Sequence, residues 1–453
     1  MLKKNFFTMI IIIVGLVILG VFSACGGGDT GGGGAPDGNY NPYDPYDPYN
    51  PNPGGNGGNI GDGNYDGGGD PDKNPANKSI IVTNTDEWEA ALKTIRNGGN
   101  GTATNPKTYT ITVDGTFFVR GAGNNSYGPI NSFYPVTYIT VKLNGNGKLF
   151  LIGNGCLLSI SDYQTVYIDS ADLILEGLTT GQNNSANDNY YPVINVAGGV
   201  LELWNGTIRG NTVQGGHFGR GAGVYIGSNQ TFGGFTMKGG TISDNITYSK
   251  AADVYGGGVY IDTGCTFTMS GGIITENRII IDNEANGIDY YGKGCGVFNN
   301  GTFTMSGGII SNNSGSSTGG YRFYIYGGGV YNAGTFIMSG GTINNNVANA
   351  NARGIASALG GGVYSSVDFI MSGGSIYNNT ATANITYGVS GGGVYVRGIV
   401  RIANGEIYNN NATTYASLSG SAEYGTFAGT TWVKNGELKN TNDNIRVVNG
   451  VLY

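Results

Sequence analysis

Short runs of alternating apolar and polar residues dominate the chain beyond residue 200. In Thr335-Phe336-Ile337-Met338, Phe336 and Met338 fall on one face and Thr335 and Ile337 on the other, with Gly340-Gly341 close behind. Runs of this period read as strands, and the Gly and Asn between them read as turns. Aligned on the Met position, the unit returns at Leu203, Met237, Met269, Met305, Met338, Met371 and Ile402, a period of about 33 residues. Three positions on, every copy has Gly: Gly206, Gly240, Gly272, Gly308, Gly341, Gly374 and Gly405. Five on, every copy has Ile, from Ile208 to Ile407. Eight on stands an Asn column: Asn211, Asn245, Asn277, Asn313, Asn346, Asn379 and Asn410. A Gly-rich strand start precedes most units, with Val followed by an aromatic at Tyr225, Tyr260, Phe298, Tyr331, Tyr364 and Tyr395.

Strands this short cannot bury an apolar face alone. Stacking each copy on the next puts Phe, Met, Ile and Val into continuous columns, which predicts an all-β parallel solenoid of about ten coils, a rod of about 50 Å. The Asn column suits tight turns, where Asn tolerates left-handed backbone and its stacked amides bond to the coils on either side. A β-propeller with blades of this length explains the Asn and Gly columns less well. Between the Asn and the next Gly-rich start lies a segment of variable length, such as 278–293 and 314–326. The period varies only there, so one face of the solenoid is expected to carry variable loops and binding.

The ends differ. Asn84 and Glu87 stand in capping-box spacing before Trp88, Ala91, Leu92 and Ile95, with Gly98 after them, which predicts a short amphipathic helix. It is assigned as an N-terminal cap over 79–108, with the solenoid from 109 to 423. Residues 424–453, with Trp432 and the alternating Ile445, Val447 and Val451, are expected to close the other end.

Residues 1–24 combine Lys3 and Lys4, an apolar run from Phe6 to Phe22, and Ser23-Ala24 before Cys25. This reads as an export signal, with an uncleaved membrane helix as the alternative. Residues 25–78 are Gly, Asn, Asp, Pro and spaced Tyr with almost nothing aliphatic, which predicts a disordered tether with a reach of about 40 Å. Phe22-Ser23-Ala24-Cys25 resembles the lipobox of bacterial lipoproteins, with Phe22 where Leu is usual. The resemblance implies lipidation at Cys25 and, with Gly26 next, outer-membrane sorting.

Composition narrows the partners. The chain has 453 residues, 85 of them Gly, with 12% charged residues, a net charge of -7 and a single His. A low pI and the lack of a basic cluster beyond the first residues argue against nucleic acid. The Gly-Gly-Gly-Val-Tyr, Thr-Phe-Thr-Met-Ser-Gly-Gly and Thr-Ile-Ser-x-Asn units resemble the repeats of bacterial right-handed parallel β-helix surface lipoproteins and, more distantly, of polymorphic outer-membrane adhesins. The resemblance covers about residues 79 to 453. It implies a right-handed parallel β-helix used for adhesion or surface display, without a fixed ligand. The adhesins' translocator barrel has no counterpart here, so the lipid is expected to take over the attachment.

Enzymatic right-handed β-helices that cleave polysaccharides use clustered carboxylates with an Arg or Lys. The nearest match is Glu276, Asp282, Glu284 and Asp289, near Arg278 and Lys293. The same cluster also reads as a solvated loop of ordinary charges. His217 lies alone in a Gly-rich loop, and one His makes no His-based metal site. Neither metal nor cofactor is expected. Cys156, Cys265 and Cys295 read as buried small apolar residues. The Tyr column is either an exposed ladder for sugars or a protein, or a stack that stabilises the sheet. These readings combine into a monomeric, lipid-anchored, non-enzymatic envelope protein that binds a protein or polysaccharide through variable loops. A polysaccharide-binding or polysaccharide-cleaving protein and a purely structural envelope protein are the alternatives.

Overall fold

The computed structural model describes residues 78–121, 131–178, 189–214, 220–227, 232–283, 288–385, 388–398, 400–414, 445–448 and 451–452. They lie within one of two compact units, Asp66–Tyr453. The export signal, Cys25 and the tether lie outside the described residues, as do His217, Glu284 and most of 424–453, Trp432 included.

The repeat winds into a parallel β-solenoid of about nine turns, slightly fewer than the period suggested, with almost no helix. One coil runs through the strands Thr302–Met305, Ile309–Ser311, Ser314–Thr318, Arg322–Tyr326 and Val330–Asn332, and Thr335–Met338 begins the next. Each strand pairs with its counterpart one coil on. This builds sheets I to V, in the order of that coil, of eleven, twelve, seven, five and eight strands. The registers join like with like: Phe267 to Phe303 to Phe336, Met269 to Met305 to Met338, and Ile274 to Ile310 to Ile343.

Sheets I, II and V enclose the main core. Phe303, Met305, Ile310 and Val330 are fully buried within it, and each such side chain contributes about 1.5–3 kcal/mol against the entropy of ordering it. Phe235, Phe267, Phe303 and Phe336 stack at 4.7, 4.8 and 4.8 Å. The Gly column turns sheet I into sheet II. At Gly308 φ is +82°, and a Cβ there would meet the Met269 side chain of the previous coil at 2.5 Å.

The Asn column lies inside the turn from sheet II to sheet III. Asn245, Asn277, Asn313, Asn346 and Asn379 each donate an Nδ2 hydrogen to the Oδ1 of the next, at 2.9 to 3.0 Å, ending on Asn410. Their backbone N–H groups donate to the same oxygens. Asn211 starts differently, accepting from Asn189 Nδ2 and donating to the carbonyls of Tyr191 and Ala222. The left-handed backbone expected at these Asn belongs instead to the residue before each: Gly210, Asp244, Glu276, Asn312, Asn345, Asn378 and Asn409 all have positive φ. The preceding residue makes the bend, which leaves the ladder Asn free to point inward.

The segments expected to be variable loops are strands. Residues 278–293 form Arg278–Asp282 and Asp289–Lys293, and 314–326 form Ser314–Thr318 and Arg322–Tyr326. Sheets III and IV face each other around a second core that includes Ile279, Ile281, Phe323, Ile325, Ala348 and Ala358. Large residues meet small ones across it. Added Cβ atoms would meet Ile279 and Ile325 at 2.8 Å from Gly292, and Ile325 at 2.5 Å from Gly315.

Helix α1 (Thr85–Asn97) buries Trp88, Ala91, Leu92 and Ile95 against Lys78–Val82 and Thr116–Arg120, the terminal strands of sheets I and II. Asn84 Oδ1 accepts the Glu87 N–H at 3.0 Å, but the Glu87 carboxylate reaches back to the Thr83 N–H, at 2.7 Å, one residue earlier than a capping box requires. The winding starts earlier than Tyr109. Lys78–Val82 already pairs in parallel with Lys107–Val113, Ile80 against Ile111. At the other end Ile445–Val448 lies antiparallel to Gly405–Tyr408 and to Val451–Leu452.

Candidate functional site

The Gly-rich bends before sheet V fold it against the end of sheet IV, and aromatic residues gather in that corner. Gly294, Gly327 and Gly360 have φ of +70°, +71° and +67°, a conformation that side chains with a Cβ rarely adopt. Beyond the bend, Val297, Val330 and Val363 enter the main core, so strand alternation sends Phe298, Tyr331 and Tyr364 to the opposite face. The last residue of each sheet IV strand faces them across the bend. In register these are Arg220, Tyr255, Lys293, Tyr326, Leu359 and Ser390.

The open aromatic ladder allowed for in the sequence is not found. Tyr260, Phe298, Tyr331 and Tyr364 are 5, 7, 9 and 2% exposed, and only the terminal Tyr225 and Tyr395 are half-buried. The reason is sheet IV, which folds the outward face of sheet V under its own edge. Consecutive rings from Tyr225 to Tyr395 stack at 4.8 to 5.4 Å. Tyr326 stacks on Tyr364 at 4.9 Å, and Tyr255 meets Phe298 edge-on at 5.1 Å. Such pairs contribute roughly 0.5–1.5 kcal/mol each beyond the area they bury. Burial raises the Tyr260 and Tyr364 hydroxyls to about 12.

Three cations line this corner. Lys293 Nζ lies over the rings of Tyr291, Tyr255 and Tyr331 at 4.7, 5.3 and 5.7 Å. Burial pushes its ammonium below the usual lysine range, partly opposed by Asp253. The Arg220 guanidinium lies over Tyr260 at 5.4 Å, and exposed Arg397 bonds the Tyr364 hydroxyl from the far end. Among the described residues, none of these three is within 4.0 Å of a carboxylate. The nearby acids serve the tyrosines. Asp253 accepts from the Tyr255 hydroxyl at 3.0 Å and the Tyr291 N–H at 2.9 Å, and Asp262 accepts from the Tyr225 hydroxyl at 3.1 Å.

The described members of the acidic set, Glu276, Asp282 and Asp289, form no common ligand cluster. Glu276 is the left-handed turn residue before the ladder Asn277. That turn and the extended strand Arg278–Asp282 separate it from Asp282, the strand alone spanning about 13 Å. Asp282 accepts from the Thr318 hydroxyl at 3.0 Å, and Asp289 pairs with Arg322 at 3.3 Å. No group of three or more His, Cys, Asp or Glu suited to a metal occurs among the described residues. Cys156, Cys265 and Cys295 are buried, unpaired thiols. Burial raises Cys156 to about 12 and Cys265 to about 11.

Arg220, Tyr255 and Tyr326 are not singled out by the sequence reading, and Lys293 enters it only beside the acidic cluster, because their segments read as loops. The signal was there in the alternation of Asp289-Tyr290-Tyr291-Gly292-Lys293 and Arg322-Phe323-Tyr324-Ile325-Tyr326. Fold and corner together define a parallel β-solenoid with a two-sheet side lobe and a cation-lined aromatic trough. No family model matches the chain, and neither a curated protein nor a solved structure matches it.

Proposed function

We propose that this chain is a lipid-anchored envelope protein, held at Cys25 and displayed on the outer membrane, that works by binding rather than by catalysis. Its winding is right-handed, in keeping with the strong preference of parallel crossovers for that hand, and helix α1 serves as its N-terminal cap. The observation that carries the binding reading is a contrast between columns. Inside the main core the same residue types recur coil after coil, as in Phe267, Phe303 and Phe336, whereas the facing column of sheet IV changes at each step, from Tyr255 to Lys293, Tyr326, Leu359 and Ser390. Packing fixes the first set. The second set is half-buried along the rim of the aromatic cluster, where variation supplies contacts for a partner. The contact surface therefore comprises the lobe and its corner, in place of flexible loops.

The test is protease treatment of intact cells followed by blotting, with a periplasmic protein as control. Loss of this protein while the control survives is the expected outcome. Protection alongside the control would sink surface display and with it the contact reading.

A further inference from the structure

We infer that the corner between sheets IV and V is a binding trough for an acidic polysaccharide, with the Lys293 ammonium taking a sugar carboxylate and the neighbouring tyrosines taking sugar faces. The inference rests on the contact-surface reading above and names its ligand.

Three observations carry it. Lys293 sits among three aromatic rings, yet no described hydrogen-bond acceptor or carboxylate bonds its Nζ. Cation–π contact gives its N–H donors no oxygen acceptor, so a donor turned away from the rings is available to a ligand oxygen. The chain carries a net charge of -7, but the cations along this trough, Arg220, Lys293 and Arg397, lack acidic partners among the described residues, while Asp253 and Asp262 are committed to tyrosine hydroxyls. The three cations outnumber the two carboxylates, Asp253 and Asp262, so the corner keeps a surplus of positive charge in a chain of net charge -7.

The third observation is spacing. Arg220 and Lys293 stand two coils apart in one column, and Arg397, just past the strand Val394–Val396, reaches the Tyr364 hydroxyl on the other flank of the aromatic stack. At the strand spacing of a parallel sheet the step from Arg220 to Lys293 is about 10 Å. Two cations set about 10 Å apart along one column, with no acidic partner among the described residues, suit a linear polymer that carries charge at intervals. The half-buried Tyr255 and Tyr326 flank Lys293 in the same column, and the parts of their rings left open by Lys293 and Tyr364 offer apolar contact to a sugar.

The experiment measures binding of the full chain to alginate, a linear polyuronate, against its uncharged ester, dextran sulfate and polyglutamate. Binding to alginate with little to the ester, weakened about ten-fold by Lys293→Gln and by added salt, is expected. Lys293→Arg should restore most of it, and Lys142→Gln, an exposed position on sheet I, should change nothing. Circular dichroism of each variant separates lost binding from lost fold. Equal affinity for alginate and its ester, or no effect of Lys293→Gln in a folded variant, overturns the inference. Binding to dextran sulfate alone overturns the carboxylate assignment, and binding to polyglutamate alone overturns it in favour of an acidic protein partner. Protease treatment of cells reads the underlying proposal independently. A protein that is cleaved at the surface yet ignores alginate keeps that proposal and loses this one.

Discussion

Removing one rung from the middle of the Asn ladder should cost far more than removing the last. Asn313 is fully buried, and five hydrogen bonds pass through its side chain. Its Oδ1 accepts from the N–H and the Nδ2 of Asn277, and its Nδ2 donates to the carbonyls of Ile274 and Ser311 and to Asn346 Oδ1. At roughly 0.5–1.5 kcal/mol net for each bond, with two N–H groups shared among three acceptors, Asn313→Ala should cost about 3–5 kcal/mol, because water cannot reach the groups left behind. Asn410 carries three such bonds and is only half-buried. Its replacement should cost about 1–2 kcal/mol, since solvent can satisfy the orphaned groups. The assay is urea denaturation of the full chain followed by circular dichroism, with native-state hydrogen exchange to locate the opening coils, because a solenoid can open in parts. Equal losses for the two variants, or a loss below about 1 kcal/mol at Asn313, would refute the view that the ladder holds the coils together.

Three further outcomes follow from the sequence and the structure. Cys25→Ser should abolish incorporation of labelled palmitate into the protein in growing cells, and labelling that persists would remove the lipid anchor. Alkali should unfold the corner. The Tyr260 and Tyr364 hydroxyls titrate near 12 in the fold against about 10 when unfolded, so their stabilisation is complete below the unfolded value and is lost as pH rises from about 10 through 12. Denaturation midpoints that stay constant across that window would contradict it. Gly315→Ala places a methyl 2.5 Å from Ile325 and 2.8 Å from Cys295 and should cost about 1–3 kcal/mol. Adding Ile325→Ala recreates the Ala348 and Ala358 pair of the next coil and should restore part of that loss in thermal denaturation.

The columns of the main core could be read directly from the chain, because each core strand repeats one residue type at one position and the registers of Met269, Met305 and Met338 simply follow the alignment. The lobe could not be read that way. Its buried residues run from Ile279 through Gly315 to Ala348 in a single column, and only the last three copies, Ala348, Ala381 and Ala412, repeat one residue type. The direction of the Tyr column was undetermined in principle, since Val330 and Tyr331 alternate equally well either way round. What decides it is the fold of sheet IV over Tyr331, a contact between parts of a coil that carry no shared pattern. The left-handed residue also escaped detection, because Asp244, Glu276 and Asn312 occupy the same turn position with three different side chains.

The large-against-small matching inside the lobe sets a rule for how such a gene could change. A coil copied to a new position would keep its Phe, Met and Asn in register, and the main core would accept it. Its lobe strands would fare worse: Ser314–Thr318 brings Gly315, which is shaped to its own Ile325. Duplication or shuffling of single coils would thus be penalised by overlap or by voids in the lobe, while substitutions on its outer face carry no such cost. The array can be rewritten on its surface but not reordered.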